Sequence, residues 1–356
     1  MLQQPNHSSL RIDVLTGRQV IVAPGRSRRP GAIRRDPVLS DPPGGNPFLP
    51  GNEECTPDEK LALRRTDSRP NESGWLVRVV PNQFPALSSV LPGPAEQKNR
   101  LRNTTPSVGC HEVVIESPVP HRRLSELSAA ETARVLLAWQ YRMRDLEQDP
   151  RMKAVTIFRN EGFSAGASLP HVHSQILAQD TIPPQTAARR QRTARHREHT
   201  GNSLLSKLCA EEVVDGRRII SGETECLVMC PFAGRASWQV RLIHRQSAFD
   251  SFAKCPQPEL IEIAGHLHGA ALAIDACVGM PAMNLLLVQP PIANPHDGWF
   301  LDLLPRTAGI AGYELLSDVD IVSVAPESSA EKLRLVFRQT VPLQEDVIPP
   351  GYRWRR

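Results

Sequence analysis

Ala154-Val-Thr-Ile-Phe-Arg159, followed by Asn160-Glu-Gly-Phe-Ser-Ala-Gly-Ala-Ser168 and then by His171-Val-His173-Ser-Gln175-Ile-Leu-Ala178, is the stretch from which the rest of the chain is read. The first run is rich in β-branched and aromatic residues and reads as a strand. The second, with Gly162 and Gly166 among small residues, reads as a loop, and the third as a returning strand. Residues i, i+2 and i+4 of a strand share one face, so His171, His173 and Gln175 project side by side. Two imidazoles and an amide are poor core material, because each needs a partner when buried. That face is therefore assigned a function.

Upstream, Trp75-Leu-Val-Arg-Val-Val80 and His111-Glu-Val-Val-Ile-Glu116 read as strands, each closed by a proline turn. Ser128-Ala-Ala-Glu131 is a capping box, and Val135, Trp139, Met143 and Leu146 behind it make an amphipathic helix. Residues 1–60 are broken by Pro and Gly into a long arm, and residues 88–109 form an excursion loop. The second half repeats this order. Cys226–Pro231 answers Leu76–Pro81, Ser237–His244 answers the His111 strand, and Pro258–Val278 is an apolar helix. Met283–Gln289 then answers the Ala154 strand and Trp299–Leu304 answers His171–Ile176, both displaced by 128 positions (155 to 283, 171 to 299). The expectation is an α+β fold from an internal duplication: two tandem units, residues 1–180 and 181–356, each an antiparallel sheet with a helix packed on it. Only the first copy carries the histidines.

Of the 356 residues 40% are hydrophobic, enough for a core, yet apolar runs such as Leu285–Val288 fall far short of the roughly 18 residues of a membrane span. No basic segment followed by an apolar one opens the chain, so a cytoplasmic protein is expected, with no membrane partner. Seven cysteines without a C-x-x-C pair argue for reduced thiols. The arginine run Arg189–Arg197 could be an RNA-binding arm, but acidic flanks, the absence of interleaved aromatics and a net charge of only +4 favour a solvated connecting helix and no nucleic-acid partner.

Three chemistries suit the histidine face: metal ligation by H-x-H, a histidine nucleophile in phosphoryl or nucleotidyl transfer, and general acid–base work. The glycine loop favours phosphorus chemistry, since its backbone N–H groups and the Ser168 hydroxyl can approach phosphate oxygens.

The run Asn160 to Ile176 resembles the active-site segment of the galactose-1-phosphate uridylyltransferase family, the transferase branch of the histidine-triad superfamily. Leu15–Pro30, Asn46-Pro-Phe-Leu49, Val80-Pro-Asn82-Gln-Phe-Pro and Leu304 through Glu314 are similar, in order, to its amino-terminal, metal-knuckle, uridine-side and hexose-side segments. The resemblance implies two histidine-triad-like units and a ping-pong reaction, as in galactose metabolism. His173 would attack the α-phosphorus of a nucleotide sugar such as UDP-glucose, release a sugar 1-phosphate and hold the nucleotidyl group until a second sugar 1-phosphate removes it. Gln175 would bond the phosphoryl oxygen without shuttling protons, which favours transfer over hydrolysis. Asn160, Gly166 and Ser168 would hold the phosphoryl oxygens, Arg26 and Arg29 the incoming phosphates, Asn82 the nucleoside, and Tyr313 with Glu314 the sugar hydroxyls. For the two arginines a solvated basic arm is the plainer alternative. A homodimer is implied as well.

Many members of the family bind zinc through C-x-x-C and two histidines. His111 and His171 match the histidines, but Asn46 and Leu49 stand at the cysteine positions, and two imidazoles do not complete a tetrahedral site. His171 is therefore expected to serve as a hydrogen-bonding residue without metal, a rearranged zinc site using Cys55 and Cys110 being the alternative. An ADP-sugar phosphorylase working through an adenylyl-histidine is the nearest rival, and a catalytically silent paralogue a more distant one.

Overall fold

The computed structural model describes residues 7–28, 36–89, 105–222, 224–245, 251–293, 297–340 and 344–356. In chain order its strands are β1 (Ser9–Ile12), β2 (Gln19–Val22), β3 (Leu61–Arg65), β4 (Trp75–Pro81), β5 (Gly109–Ile115), β6 (Ala154–Glu161) and β7 (His173–Gln179). They continue with β8 (Ile219–Ser221), β9 (Cys226–Met229), β10 (Val240–His244), β11 (Met283–Val288), β12 (Phe300–Pro305), β13 (Asp320–Val322) and β14 (Tyr352–Arg355). The helices are α1 (Ala129–Leu146), α2 (Pro184–Thr200), α3 (Leu204–Asp215), α4 (Gln257–Val278), α5 (Gly312–Ser317), α6 (Pro326–Val336) and α7 (Gln344–Val347).

Eleven strands form one sheet in the order β14-β3-β4-β5-β7-β6-β11-β12-β10-β9-β8. Outward from its centre, β6-β7-β5-β4 on one side is answered by β11-β12-β10-β9 on the other, which is the order two like units give when joined edge to edge. The seam is the antiparallel pair β6 and β11, with Asn160 opposite Asn284. Both termini cross it. β1 and β2 pair with β13 in a small separate sheet, and β14 adds to the outer edge of the first half beside β3.

The capping box forms as the spacing predicts: Glu131 N–H donates to Ser128 Oγ at 3.1 Å and Ser128 N–H to Glu131 Oε2 at 2.8 Å. Helix α1 packs against α4, and the two cover one face of the sheet. Leu136, Trp139 and Met143 meet Leu267 and Ile274 there, over Ile157 and Ile176 of the first half and Leu285, Leu301 and Leu303 of the second, so one core spans both halves. Helix α4 is long and apolar enough to cross a membrane by length and composition, although no long uninterrupted apolar run marks it. Much of its apolar surface is spent on contacts with α1, α6, β9 and β10.

Two expectations need correction. Strand β12 is out of step with the expected pairing by one residue. Trp299, Leu301 and Leu303 point to the helices, together with Ile176 of β7, whereas Phe300 and Asp302 lie on the opposite face. The register agrees: Ile115 pairs with His173 and Val113 with Gln175, as Ile243 pairs with Phe300 and Arg241 with Asp302. A shift of one residue exchanges the faces of a strand, so Phe300 and Asp302, rather than Leu301 and Leu303, stand where the first half has His173 and Gln175. The arginine run is indeed a helix, α2, but it is not wholly solvated. Arg189 is buried, donates to the Asp297 and Gly298 carbonyls and lies 5.4 Å from the centre of the Phe300 ring.

Beneath the histidine strand runs a buried ionic chain. Arg159 of β6 bridges Glu116 and Glu161, Arg123 links Glu161 (3.0 Å) to Asp275 of α4 (2.7 Å), and Trp139 Nε1 donates to Ser174 Oγ at 2.7 Å. Burial pushes both glutamates above the usual carboxylate range, against the pull of Arg159. Arg159→Met would leave the buried Glu116 without its guanidinium and Glu161 with Arg123 alone, so a loss of about 3–5 kcal/mol is expected at neutral pH. Without the guanidinium their native pKa values rise further above 4.5, and a group of raised native pKa regains its contribution as pH falls. Urea unfolding of the variant should therefore show a smaller deficit at about pH 5 than at about pH 7.5.

Candidate active site

The pleat of β7 turns Ser174 and Ile176 inward and leaves His173 and Gln175 on the open face. His171 precedes the strand and is buried. Its ring Nε2 lies 2.8 Å from the Ser117 carbonyl, and its Nδ1 lies 3.0 Å from Asn46 Nδ2. Asn46 Oδ1 accepts the Phe48 N–H at 3.0 Å, which turns the amide nitrogen toward the imidazole. His171 therefore donates from Nε2 and accepts at Nδ1.

His173 is placed by its neighbour's backbone. Its Nδ1 lies 2.8 Å from the His171 carbonyl, which can only accept, so the proton is on Nδ1 and the lone pair on Nε2. Burial depresses the pKa of His173 to about 4, helped by the nearby Arg159 charge and opposed by the bond to the His171 carbonyl. The ring is neutral at physiological pH. Phe48 packs edge-on against both imidazoles, with centroids 5.9 Å and 5.4 Å away.

Gln175 is oriented by His111. The Ala86 N–H donates to His111 Nδ1 at 3.2 Å, so His111 Nε2 carries the proton and donates to Gln175 Oε1 at 2.8 Å. The Gln175 amino group is thereby turned away from His111. The Asn82 N–H donates to the His111 carbonyl at 2.8 Å, and Asn82 Oδ1 accepts the Phe84 N–H, which leaves its Nδ2 beside the protonated His111 Nε2 without a bond to it. His173, Gln175, Ser168 and Asn82 line one cavity of about 420 Å³, walled by Phe48, Val113 and Phe84. Asn160, one residue beyond the Arg159–Ser174 pair, lies on the same face of the neighbouring strand.

The glycine loop departs from expectation. The Phe163 and Ser164 N–H groups donate to the Asp36 carboxylate, that of Gly166 to the Phe163 carbonyl (2.9 Å) and that of Ala167 to the Gly162 carbonyl (3.1 Å). Four main-chain donors expected to cradle phosphate, Gly166 included, are thus engaged within the protein. The Ser168 hydroxyl and the Gln175 amino group are left for that work, the Asn160 amide itself reaching the Gly166 carbonyl at 3.4 Å. The sequence reading missed Asn284, whose Nδ2 donates to Asn160 Oδ1 and to the Ala165 carbonyl, each at 2.9 Å. A lone amide in the apolar strand Met283–Val288 was the signal available.

The remaining predicted residues lie elsewhere. Arg26 sits exposed on the short turn Pro24–Arg28, and Arg29 falls outside the described residues. Tyr313 and Glu314 lie on α5. Glu314 Oε2 accepts the Ala311 N–H at 3.1 Å, and its side chain faces a different cavity, shared with Arg306 and Asn284. Within one chain none of these three described residues lines the His173 cavity.

The residues do not fit zinc. All four ring nitrogens of His111 and His171 have protein partners, and Asn46 stands against His171 Nδ1 as a hydrogen-bond donor. Among the described residues no three His, Cys, Asp or Glu side chains converge on a point that could hold a metal ion. The seven cysteines are all free, Cys55 lying at the cavity wall.

Asn46→Leu leaves His171 Nδ1 and the Phe48 N–H without partners, and should cost about 1–3 kcal/mol in thermal unfolding. EDTA treatment should leave activity intact, and one tightly bound zinc per chain by elemental analysis would contradict this geometry. Any reaction that uses the His173 lone pair should keep its rate as pH falls to about 5 and lose it toward pH 4. Because the native pKa is lowered, the contribution of this histidine to stability is full above about pH 6.5 and is lost between there and about pH 4.

Comparison with known proteins shows the family. The sequence profile of the galactose-1-phosphate uridyl transferase N-terminal domain matches residues 1–183. An ADP-glucose phosphorylase of Arabidopsis thaliana is 30% identical over 336 residues, 92% of each chain, and a galactose-1-phosphate uridylyltransferase of Neurospora crassa is 25% identical over 373 residues, 92% of this chain and 95% of that protein. The crystal structure of an Arabidopsis thaliana ADP-glucose phosphorylase with bound ADP-glucose superposes with a TM-score of 0.77 at 27% identity, covering 93% of this chain and all of that one. The chain belongs to the galactose-1-phosphate uridyl transferase family.

Proposed function

We propose that the protein is a nucleotidyltransferase that moves UMP between sugar 1-phosphates, as a UDP-glucose:hexose-1-phosphate uridylyltransferase, through a nucleotide held on His173. The observation that carries this reading is the neutral His173, its proton held on Nδ1 by the His171 carbonyl and its Nε2 lone pair facing a cavity of nucleotide size. Nε2 attacks the α-phosphorus, the bond to the departing sugar 1-phosphate breaks, and that product leaves as a phosphate needing no proton. The imidazolium character gained by the ring is balanced by the phosphoryl oxygens and by the His171 carbonyl on Nδ1–H. Gln175, its carbonyl fixed by His111, offers its amino group to a phosphoryl oxygen. A phosphate oxygen of the second sugar 1-phosphate then takes the phosphorus and restores the lone pair.

The similarity to the ADP-glucose phosphorylase supports a second reading with the same histidine, an adenylyl group and a phosphate acceptor: 30% identity there against 25% for the Neurospora crassa uridylyltransferase. The experiment that separates them is incubation with UDP-glucose or ADP-glucose, followed by mass spectrometry of the peptide containing His173. A uridylyl adduct supports the first reading and an adenylyl adduct the second. His173→Ala should lose the adduct and at least about 10³-fold in turnover while keeping its circular dichroism; equal activity in both proteins would exclude covalent transfer.

We propose further that two copies associate so that α5 of one reaches the cavity of the other. Tyr313 and Glu314 lie away from the His173 cavity of their own chain, and Ile310, Tyr313, Leu315 and Leu316 expose apolar surface around that helix. Mixing the inactive variants His173→Ala and Tyr313→Ala/Glu314→Ala should then restore part of the activity, and a chain that is monomeric in light scattering at assay concentration would overturn the idea.

A further inference from the structure

The glycine loop between β6 and β7 is clamped from two sides. On one side are Asn284, bonded to Asn160 and to the Ala165 carbonyl, and Ala282, which packs at Gly162. On the other the Asp36 carboxylate straddles the start of the turn, its Oδ2 accepting the Phe163 N–H at 2.7 Å and its Oδ1 the Ser164 N–H at 2.8 Å. Gly162 answers both demands. Its φ is +85°, and a Cβ there would lie 2.5 Å from Asp36 Oδ2 and 2.8 Å from Ala282 Cβ.

Asp36 belongs to the proline-rich arm, which is tied to the histidine strand's surroundings at further points. Arg122 Nη1 donates to the Leu39 carbonyl at 3.1 Å, Asn46 bonds His171, and Phe48 packs on both imidazoles. A carboxylate inside a phosphate site would repel its substrate. Asp36, Phe163 and Ser164, however, do not line the cavity onto which His173 opens, whereas Ser168 at the far end of the same loop does. The carboxylate thus holds one end of the loop while the other end faces the substrate, and paired N–H donors on a charged acceptor make strong, directional bonds.

We propose that Asp36 is a positioning residue for nucleotidyl transfer: through the Phe163 and Ser164 N–H groups it locks the glycine loop so that Ser168 is held beside the His173 nucleophile. This rests on the reading of His173 as the residue that carries the nucleotide. Freed of the clamp, the loop keeps its anchor on β11 but loses its arm contact, and a reacting group displaced by about 1 Å can cost on the order of 100-fold in rate.

The test is single-turnover formation of the His173 adduct from the preferred nucleotide sugar, with rate and apparent dissociation constant measured separately for wild type, Asp36→Ala and Asp36→Asn. Asp36→Ala is expected to slow adduct formation at saturating substrate by about 10-fold or more, with less than about threefold change in the dissociation constant. Asp36→Asn keeps one acceptor and should recover part of the rate. Should the wild type form no adduct, the reading of His173 fails; an adduct in the wild type with an unchanged rate in Asp36→Ala sinks the clamp alone. Tighter binding of inorganic phosphate or nucleotide sugar by Asp36→Ala would also overturn the proposal, because the carboxylate would then be a competitor for the phosphate site. Equal slowing by Ala and Asn, in step with equal losses of melting temperature, would reduce Asp36 to a structural residue and likewise overturn it.

Discussion

Each half of this molecule, taken alone, would end in an open strand edge, β6 in the first half and β11 in the second. Pairing these edges satisfies two rows of backbone groups at once and makes one sheet of two. Most of what matters for the site follows from that seam. It sets α1 and α4 side by side over a shared core, and it brings Ala282 and Asn284 under the glycine loop. The half that lacks the histidines therefore supports the half that has them, and the first 180 residues do not contain everything that shapes the loop.

The histidine strand is governed by carbonyls. A carbonyl can only accept, so the one at Ser117 fixes the tautomer of His171 and the one at His171 fixes that of His173. Asn46 completes the first of these arrangements: its amide donates a hydrogen bond to the ring nitrogen that would otherwise need a metal or a water, and its oxygen holds Phe48 against both rings. Orientation that a bound zinc supplies through coordination is here supplied by hydrogen bonds. His111, which matches a ligand position of the zinc-binding members, is likewise tied to Gln175 and decides which way the amide points.

On the other side of the seam the corresponding face has a different character. Phe300 and Asp302 occupy the positions of His173 and Gln175, and Arg241 pairs with Asp302 in two bonds of 2.7 Å and 2.8 Å while stacking 4.0 Å from the centre of the Phe300 ring. A guanidinium neutralised by a carboxylate and covered by a ring presents no nucleophile. Although this face borders a cavity of about 350 Å³, it carries no imidazole, consistent with chemistry confined to the first half.

Much of this was legible from local patterns. The 3.6-residue spacing and capping box of α1, the two-residue alternation of β7, the glycines of the loop and the repeated strand order all depend on neighbours along the chain. The repeat also led one strand astray, because an alignment by spacing tolerates a slip of one residue that the pleat does not, and the true faces of β12 emerged only from its packing against α1 and α4. The partner of His171, the clamp of Asp36 and the support from Asn284 join residues separated by 125, 127 and 119 positions or more, and no local pattern encodes such pairs. By itself the sequence determined which atoms could do the chemistry, an imidazole, an amide and a hydroxyl on one strand and loop. The tertiary structure decided which of them are free to do it, because proton position, burial and competition for backbone donors are set by whatever the fold places within about 3 Å of each group.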